Sequence, residues 1–207
     1  MKRKSSIVFI LLVVVFLIAA CSQVEKSGTS AKPKSSQSAV SPVPSSPTPA
    51  SPGSTATLGD FTATDLDGNH VDQSIFTGRK LTMINIWATF CGPCLGEMPT
   101  LGVLHQEYQD RGFQIVGIVT DTMEQDGSIS QSQVAVAKEA VEKTGAAYLH
   151  LLPSNDLINA VLNQVYSVPE TIFVDEHGNQ VGKSYSGAKT KAQWRKIIDG
   201  LLAEVDG

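Results

Sequence analysis

Leu81 to Ala88 is a nearly continuous apolar run, and Cys91-Gly92-Pro93-Cys94 follows it after two residues. Such a run reads as a buried strand. A Cys-x-x-Cys pair where that strand gives way to a helix is the setting of a dithiol redox site. Helical spacing places both sulfurs on one side of the first turn, close enough to bond to each other. The helix N-terminus favours a thiolate on the first of them.

The pattern around this centre alternates between strand and helix. Asp67-Gly68-Asn69 between two short extended segments marks a hairpin near the start of the domain. Cys94 to Asp110 reads as a helix that contains Pro99 and is ended by Gly112. Phe113 to Thr120 is the next strand, and Ser130 to Thr144 is an amphipathic helix stopped by Gly145. A short strand over Tyr148 to Leu152 and a helix over Asp156 to Val165 follow. Glu170 to Asp175 turns through His177-Gly178-Asn179 into Gln180 to Tyr185, and Lys189 to Val205 closes the chain as an amphipathic helix. The expected fold is α/β: a central mixed sheet flanked by helices, because the last strand pair is antiparallel.

The folded part starts late. Lys2, Arg3 and Lys4 precede an apolar run of 14 residues, Ile7 to Ala20, which is short of the ~20 residues of a membrane span. Its end, Leu17-Ile18-Ala19-Ala20-Cys21, resembles the lipobox of bacterial lipoproteins. That resemblance implies a signal peptide over residues 1–20, cleavage after Ala20 and lipid on Cys21. With Cys21 so assigned, the three cysteines resolve into one lipid site and one redox pair. Loss of Lys2, Arg3 and Lys4 makes the mature chain three charges more acidic than the −4 of the full sequence. No nucleic-acid footprint is present, and membrane contact is expected through the lipid alone. Residues 22–57 hold 11 Ser, 6 Pro and 4 Thr among 36 and no aromatic residue. They read as a disordered tether that extends to at most about 110 Å at ~3.1 Å per residue. Residues 58–207 are expected to form one domain.

Two separated motifs carry a family resemblance. Asn85-Ile-Trp-Ala-Thr-Phe-Cys-Gly-Pro-Cys-Leu-Gly-Glu-Met-Pro99 resembles the active-site stretch of the TlpA/ResA-like branch of the thioredoxin superfamily. Val168-Pro169-Glu-Thr-Ile-Phe-Val-Asp175, about 75 residues on, resembles its second motif. The resemblance implies a thioredoxin-like fold with an added N-terminal β-hairpin and a central helical insertion over 121–145. Cytosolic thioredoxin has an Asp where this chain has Asn85, and a Trp where it has Phe90. Asn85 follows the TlpA/ResA branch, whereas Phe90 departs from the pattern and alters the expected contact surface.

Cys91, at the helix entrance, is the candidate nucleophile and is expected to be partly exposed, with Cys94 the buried resolving thiol. Zinc would need four ligands. With one Cys-x-x-Cys and His70, His105, His150 and His177 scattered, no metal is expected, and no cofactor beyond the disulfide. Pro169 resembles the cis-proline that faces the redox pair in this superfamily, which would expose the Val168 backbone to an extended client. Glu97, one turn beyond Cys94, is implied to tune or transfer the active-site proton. Its competing reading is a solvated first-turn glutamate, and Glu170 is a weaker acidic candidate. Trp87 and Phe90 are candidate client contacts whose simpler reading is packing.

Gly-Pro between the cysteines resembles reducing thioredoxins. The expectation is therefore a lipid-anchored, extracytoplasmic disulfide reductase, monomeric, re-reduced by a membrane carrier of the CcdA or DsbD type. Apocytochrome c or oxidised surface enzymes such as methionine sulfoxide reductases are the implied clients. Two rivals are a disulfide-forming oxidase on the same scaffold and a non-catalytic lipoprotein binding module.

Overall fold

The computed structural model of the chain describes residues 57–207. The signal segment, Cys21 and all of the tether but Thr57 lie outside the described residues. Among the described residues, seven strands form two sheets. β1 (Thr62–Thr64) and β2 (His70–Asp72) pair antiparallel around the Asp-Gly-Asn turn. The central sheet holds β3 (Leu81–Trp87), β4 (Phe113–Val119), β5 (Leu149–Leu151), β6 (Glu170–Val174) and β7 (Gln180–Ser186) in the order β5-β4-β3-β6-β7. β3 runs parallel to β4, and β4 to β5, while β6 is antiparallel to both β3 and β7. The sheet is therefore mixed, as expected, at two pairings rather than one.

Every residue of β3 is buried, which is the reason its sequence is apolar without alternation. One face of the sheet packs against α1 (Gly92–Tyr108), α2 (Gln131–Thr144) and α4 (Lys191–Val205) through Met83, Trp87, Phe113, Ile115 and Phe173. The other face packs Ile84, Ile86, Val116 and Ile172 against Phe61, Phe76 and Leu157, the last from α3 (Asn155–Ala160). Helices thus cover both faces, with the hairpin sharing the second.

α1 begins where the sequence places the redox pair. Cys91 is its N-cap, its sulfur 3.2 Å from the Cys94 amide, and Pro93 occupies the first turn, where no amide hydrogen is needed. The helix continues through Pro99 and passes through a short 3₁₀ turn, 109–111, to Gly112, at φ +78°. α2 lies within the expected central insertion and stops at Gly145. The helix expected over 156–165 is shorter: α3 ends at Ala160, and Leu162–Gln164 forms a 3₁₀ turn. Thr57 bridges Asn179, and the buried Leu58 donates its amide to the Gly178 carbonyl.

Candidate active site

Cys91 and Cys94 are joined by a disulfide, with Cα atoms 5.2 Å apart. Cys94 is 1% exposed and Cys91 only 6%. The expectation of a partly exposed Cys91 is thus corrected for the oxidised pair. Its sulfur is shared with Cys94 inside the core cluster that includes Trp87, Ala88 and Met98. The Val168–Pro169 peptide bond is cis, and Val168 packs against the core cluster that holds both cysteines. Pro169 is buried, and its carbonyl accepts from the Gly187 amide at 2.8 Å. Val168 is half-buried, and among the described residues no hydrogen bond engages its backbone.

Glu97 is not a solvated glutamate. It is 4% exposed, on the face of α1 turned to the sheet. Its Oε2 accepts from the Lys189 amide at 2.9 Å and from Trp194 Nε1 at 3.1 Å, and Asn85 Nδ2 approaches Oε1 at 3.4 Å. Burial pushes its carboxyl above the usual carboxylate range, opposed by these three donors and by the Lys189 charge. Asn85 Nδ2 also reaches Thr171 Oγ1 at 3.3 Å, while Asn85 Oδ1 has no partner among the described residues. The polar centre is thus built from β3, β6, α1 and the start of α4.

Of the two readings of Trp87, the structure favours packing. Its side chain is fully buried and donates from Nε1 to His150 Nδ1 at 3.2 Å. Position 87 shares the face of β3 that α1 covers, so alternation turns it inward. The His150 Nε2 proton points to the Ala146 carbonyl at 3.0 Å, and burial pushes this histidine down to about 4. Phe90 is the opposite case: it is 77% exposed. With Met123, Ile158, Leu162, Tyr166 and Val168 it lines an open groove of ≈ 550 Å³. Glu170 lies on the face of β6 away from α1 and accepts from the Ser186 hydroxyl on β7.

Trp194, Lys189, Thr171 and His150 belong to this surround, and none is evident from the sequence as part of it. Trp194 reads as a core residue of an amphipathic helix, and His150 as a scattered histidine. The only local signal was Glu97 itself, a carboxylate spaced one turn from a cysteine. Among the described residues no group of three or more His, Cys, Asp or Glu side chains could hold a metal. No helix there is long and apolar enough to cross a membrane.

Comparison with known proteins agrees with this geometry. Residues 51–198 match the Redoxin family model. The chain is 34% identical over 139 residues to the thiol-disulfide oxidoreductase ResA of Bacillus thuringiensis subsp. konkukian, covering 67% of this chain and 73% of that protein. It is 28% identical over 149 residues to ResA of Geobacillus kaustophilus, covering 72% and 77%. Among solved structures, a thioredoxin-family thiol:disulfide interchange protein from Chlorobium tepidum superposes with a TM-score of 0.59 at 23% identity, over 72% of this chain and 98% of that one. A secreted Mycobacterium tuberculosis disulfide oxidoreductase homologous to E. coli DsbE gives 0.53 at 22% identity, over 70% and 95%. These structures share the thioredoxin-like fold. With its disulfide at the mouth of α1 and a cis-proline at the entry to β6, the chain belongs to the Redoxin family as a ResA-like thiol-disulfide oxidoreductase.

Proposed function

We propose that this oxidoreductase works as a reductase of exported protein disulfides, held to the outer face of a bacterial membrane by lipid on Cys21. The observation that carries the reading is the Cys91–Cys94 disulfide set against the unpaired backbone of Val168. An extended client segment adds to that backbone as a strand, and Phe90 borders the groove beside it. In the reduced protein the Cys91 thiolate attacks a client disulfide, forming a mixed disulfide and releasing one client thiolate, which takes up a proton. Cys94 gives its proton to Glu97, attacks the Cys91 sulfur and releases the second client thiolate. The client gains two electrons, and the Cys91–Cys94 bond re-forms. A membrane dithiol carrier of the CcdA or DsbD type then returns two electrons. Apocytochrome c and oxidised surface enzymes such as methionine sulfoxide reductases are the client classes this chemistry serves.

Gly92-Pro93, the dipeptide of reducing thioredoxins, supports the direction. The test is the reduction potential of the pair, measured on the compact unit Pro49–Gly207 in dithiothreitol buffers. A value near that of thioredoxin, about −270 mV, is expected; one near that of DsbA, about −120 mV, would reverse the direction to disulfide formation. Anchoring is tested separately, by loss of labelled fatty acid and release from membranes in Cys21→Ala.

A further inference from the structure

The loop between β3 and Cys91 is tied to the central insertion by one compact polar cluster. The Thr89 amide lies 3.1 Å from both carboxylate oxygens of Asp121, and its hydroxyl donates to Asp121 Oδ2 at 2.5 Å. Gln133 Nε2 completes the cluster, at 2.8 Å from Thr89 Oγ1 and 3.1 Å from Asp121 Oδ2. Thr89 lies two residues before the nucleophile, Asp121 just past the end of β4, and Gln133 in the first turn of α2.

Gln133 gives up a local bond to take part. At the matching first-turn position of α4, Gln193 folds back on Thr190 in a reciprocal capping box. Gln133 instead reaches out of its own helix, and its N-cap, Ser130, makes no side-chain cap bond. Charge-assisted bonds to a half-buried carboxylate are stronger than neutral ones, so the cluster holds the loop more firmly than a cap would.

What it holds is the client groove. Phe90 follows Thr89, and Thr120 and Met123 lie within two residues of Asp121; all three line the groove, as does Val168. Fixing Thr89 against Asp121 therefore fixes the segment that carries Phe90 relative to the one that carries Thr120 and Met123. Met123 is further braced by a bridge to Ile129, and the Ser130 amide donates to the Thr122 carbonyl at 2.8 Å. We propose that Thr89, Asp121 and Gln133 are positioning residues through which the insertion sets the width of this groove, selecting clients with apolar side chains flanking the disulfide. The inference rests on the reading that clients dock at Val168 and Phe90, and it is independent of the direction of electron flow.

The test compares exchange of the full chain with insulin, a protein disulfide, and with bis(2-hydroxyethyl) disulfide, too small to span the groove. In Thr89→Val and Gln133→Leu, kcat/KM for insulin falls about tenfold more than for the small disulfide, mainly through KM. This is short of the ~10²-fold that misplacing the reacting group itself costs. Thr89→Ser, which keeps the hydroxyl, restores the wild-type ratio, and the potential of the pair stays put. Equal losses on both substrates, a shifted potential, or no loss on either would overturn the proposal. Gln133→Leu, outside the active-site loop, keeps the test intact if Thr89→Val does not fold. Wild-type protein that exchanges with the small disulfide but not with insulin would remove the docking reading and the inference together. A reversed potential would alter the proposed direction alone.

Discussion

At the residue scale, Glu97 is the side chain whose environment says most. Its carboxyl is raised by burial above the ordinary value of 4.5, so the folded chain keeps this proton to a higher pH than the unfolded chain does. The contribution to stability is full below the unfolded value and is lost as pH rises through the folded one. Glu97→Gln removes that loss. Relative to wild type, its unfolding free energy, measured by urea at several pH values, gains as pH rises from 4.5. The same variant slows release of reduced client by about 10²-fold, the lower end of a general acid–base contribution, in single-turnover measurements. Cys94→Ser isolates the earlier step: it accumulates the Cys91 mixed disulfide with insulin, seen as a covalent adduct by mass, whereas Cys91→Ser forms none. Cys91, Cys94 and Glu97 were legible as a group because each lies one helical turn from the next. Whether Trp87 packs or faces clients is not legible in the sequence, because a strand buried on both faces has no polar alternation to show which way a side chain turns.

At the element scale, one row of residues crosses the sheet beneath α1. Thr171, Asn85, Gly117 and His150 sit opposite one another on β6, β3, β4 and β5. Gly117 is the gap that lets the row close. A Cβ there would lie 2.3 Å from His150 Nδ1 and 3.1 Å from Trp87 Nε1. Gly117→Ala is expected to cost about 1–3 kcal/mol by overpacking, with Tm falling by about 2–4 °C per kcal/mol, measured by calorimetry. The turns were legible from Asp67-Gly68-Asn69 and His177-Gly178-Asn179, and the structure shows that an Asp three residues before each Gly caps the turn. Asp65 accepts the Asp67 and Asn69 amides, both at 2.8 Å, and Asp175 accepts those of His177 and Asn179 at 2.9 and 2.8 Å. The boundary of α3 was not legible. Leu157 and Val161 are buried and Leu162 half-buried in one cluster, so the apolar spacing continues while the backbone changes to 3₁₀.

At the scale of the whole molecule, two buried groups pull the stability profile in opposite directions. Burial lowers His150 to about 4 from 6.5, so its contribution is full above 6.5 and is lost as pH falls toward 4. The loss is on the order of 3 kcal/mol when complete, at ~1.4 kcal/mol per pH unit of separation. Glu97 acts from the other side, as pH rises. The two windows overlap above pH 4.5, where the effects oppose each other, so the stability maximum is set by their balance rather than by the sequence pI of about 5.5. His150→Gln keeps an acceptor for Trp87 and a donor for Ala146. It moves the acid-unfolding midpoint, followed by tryptophan fluorescence, to lower pH.

The sequence by itself determined what depends on short separations: the redox pair in the first turn of α1, the apolar strands, the Gly-Asn turns and the glycine stops at Gly112 and Gly145. It also determined family membership, through two motifs whose residues act in place. Tertiary structure alone decided what surrounds Glu97, whose partners Lys189 and Trp194 are 92 and 97 positions away. It likewise decided that Trp87 meets His150, 63 positions on, and that Gln133 reaches Thr89 across 44. Local periodicity specifies which face of an element is buried. Which side chain of a distant element waits there is set only when the layers pack, because that pairing is a property of the assembled sheet and helices.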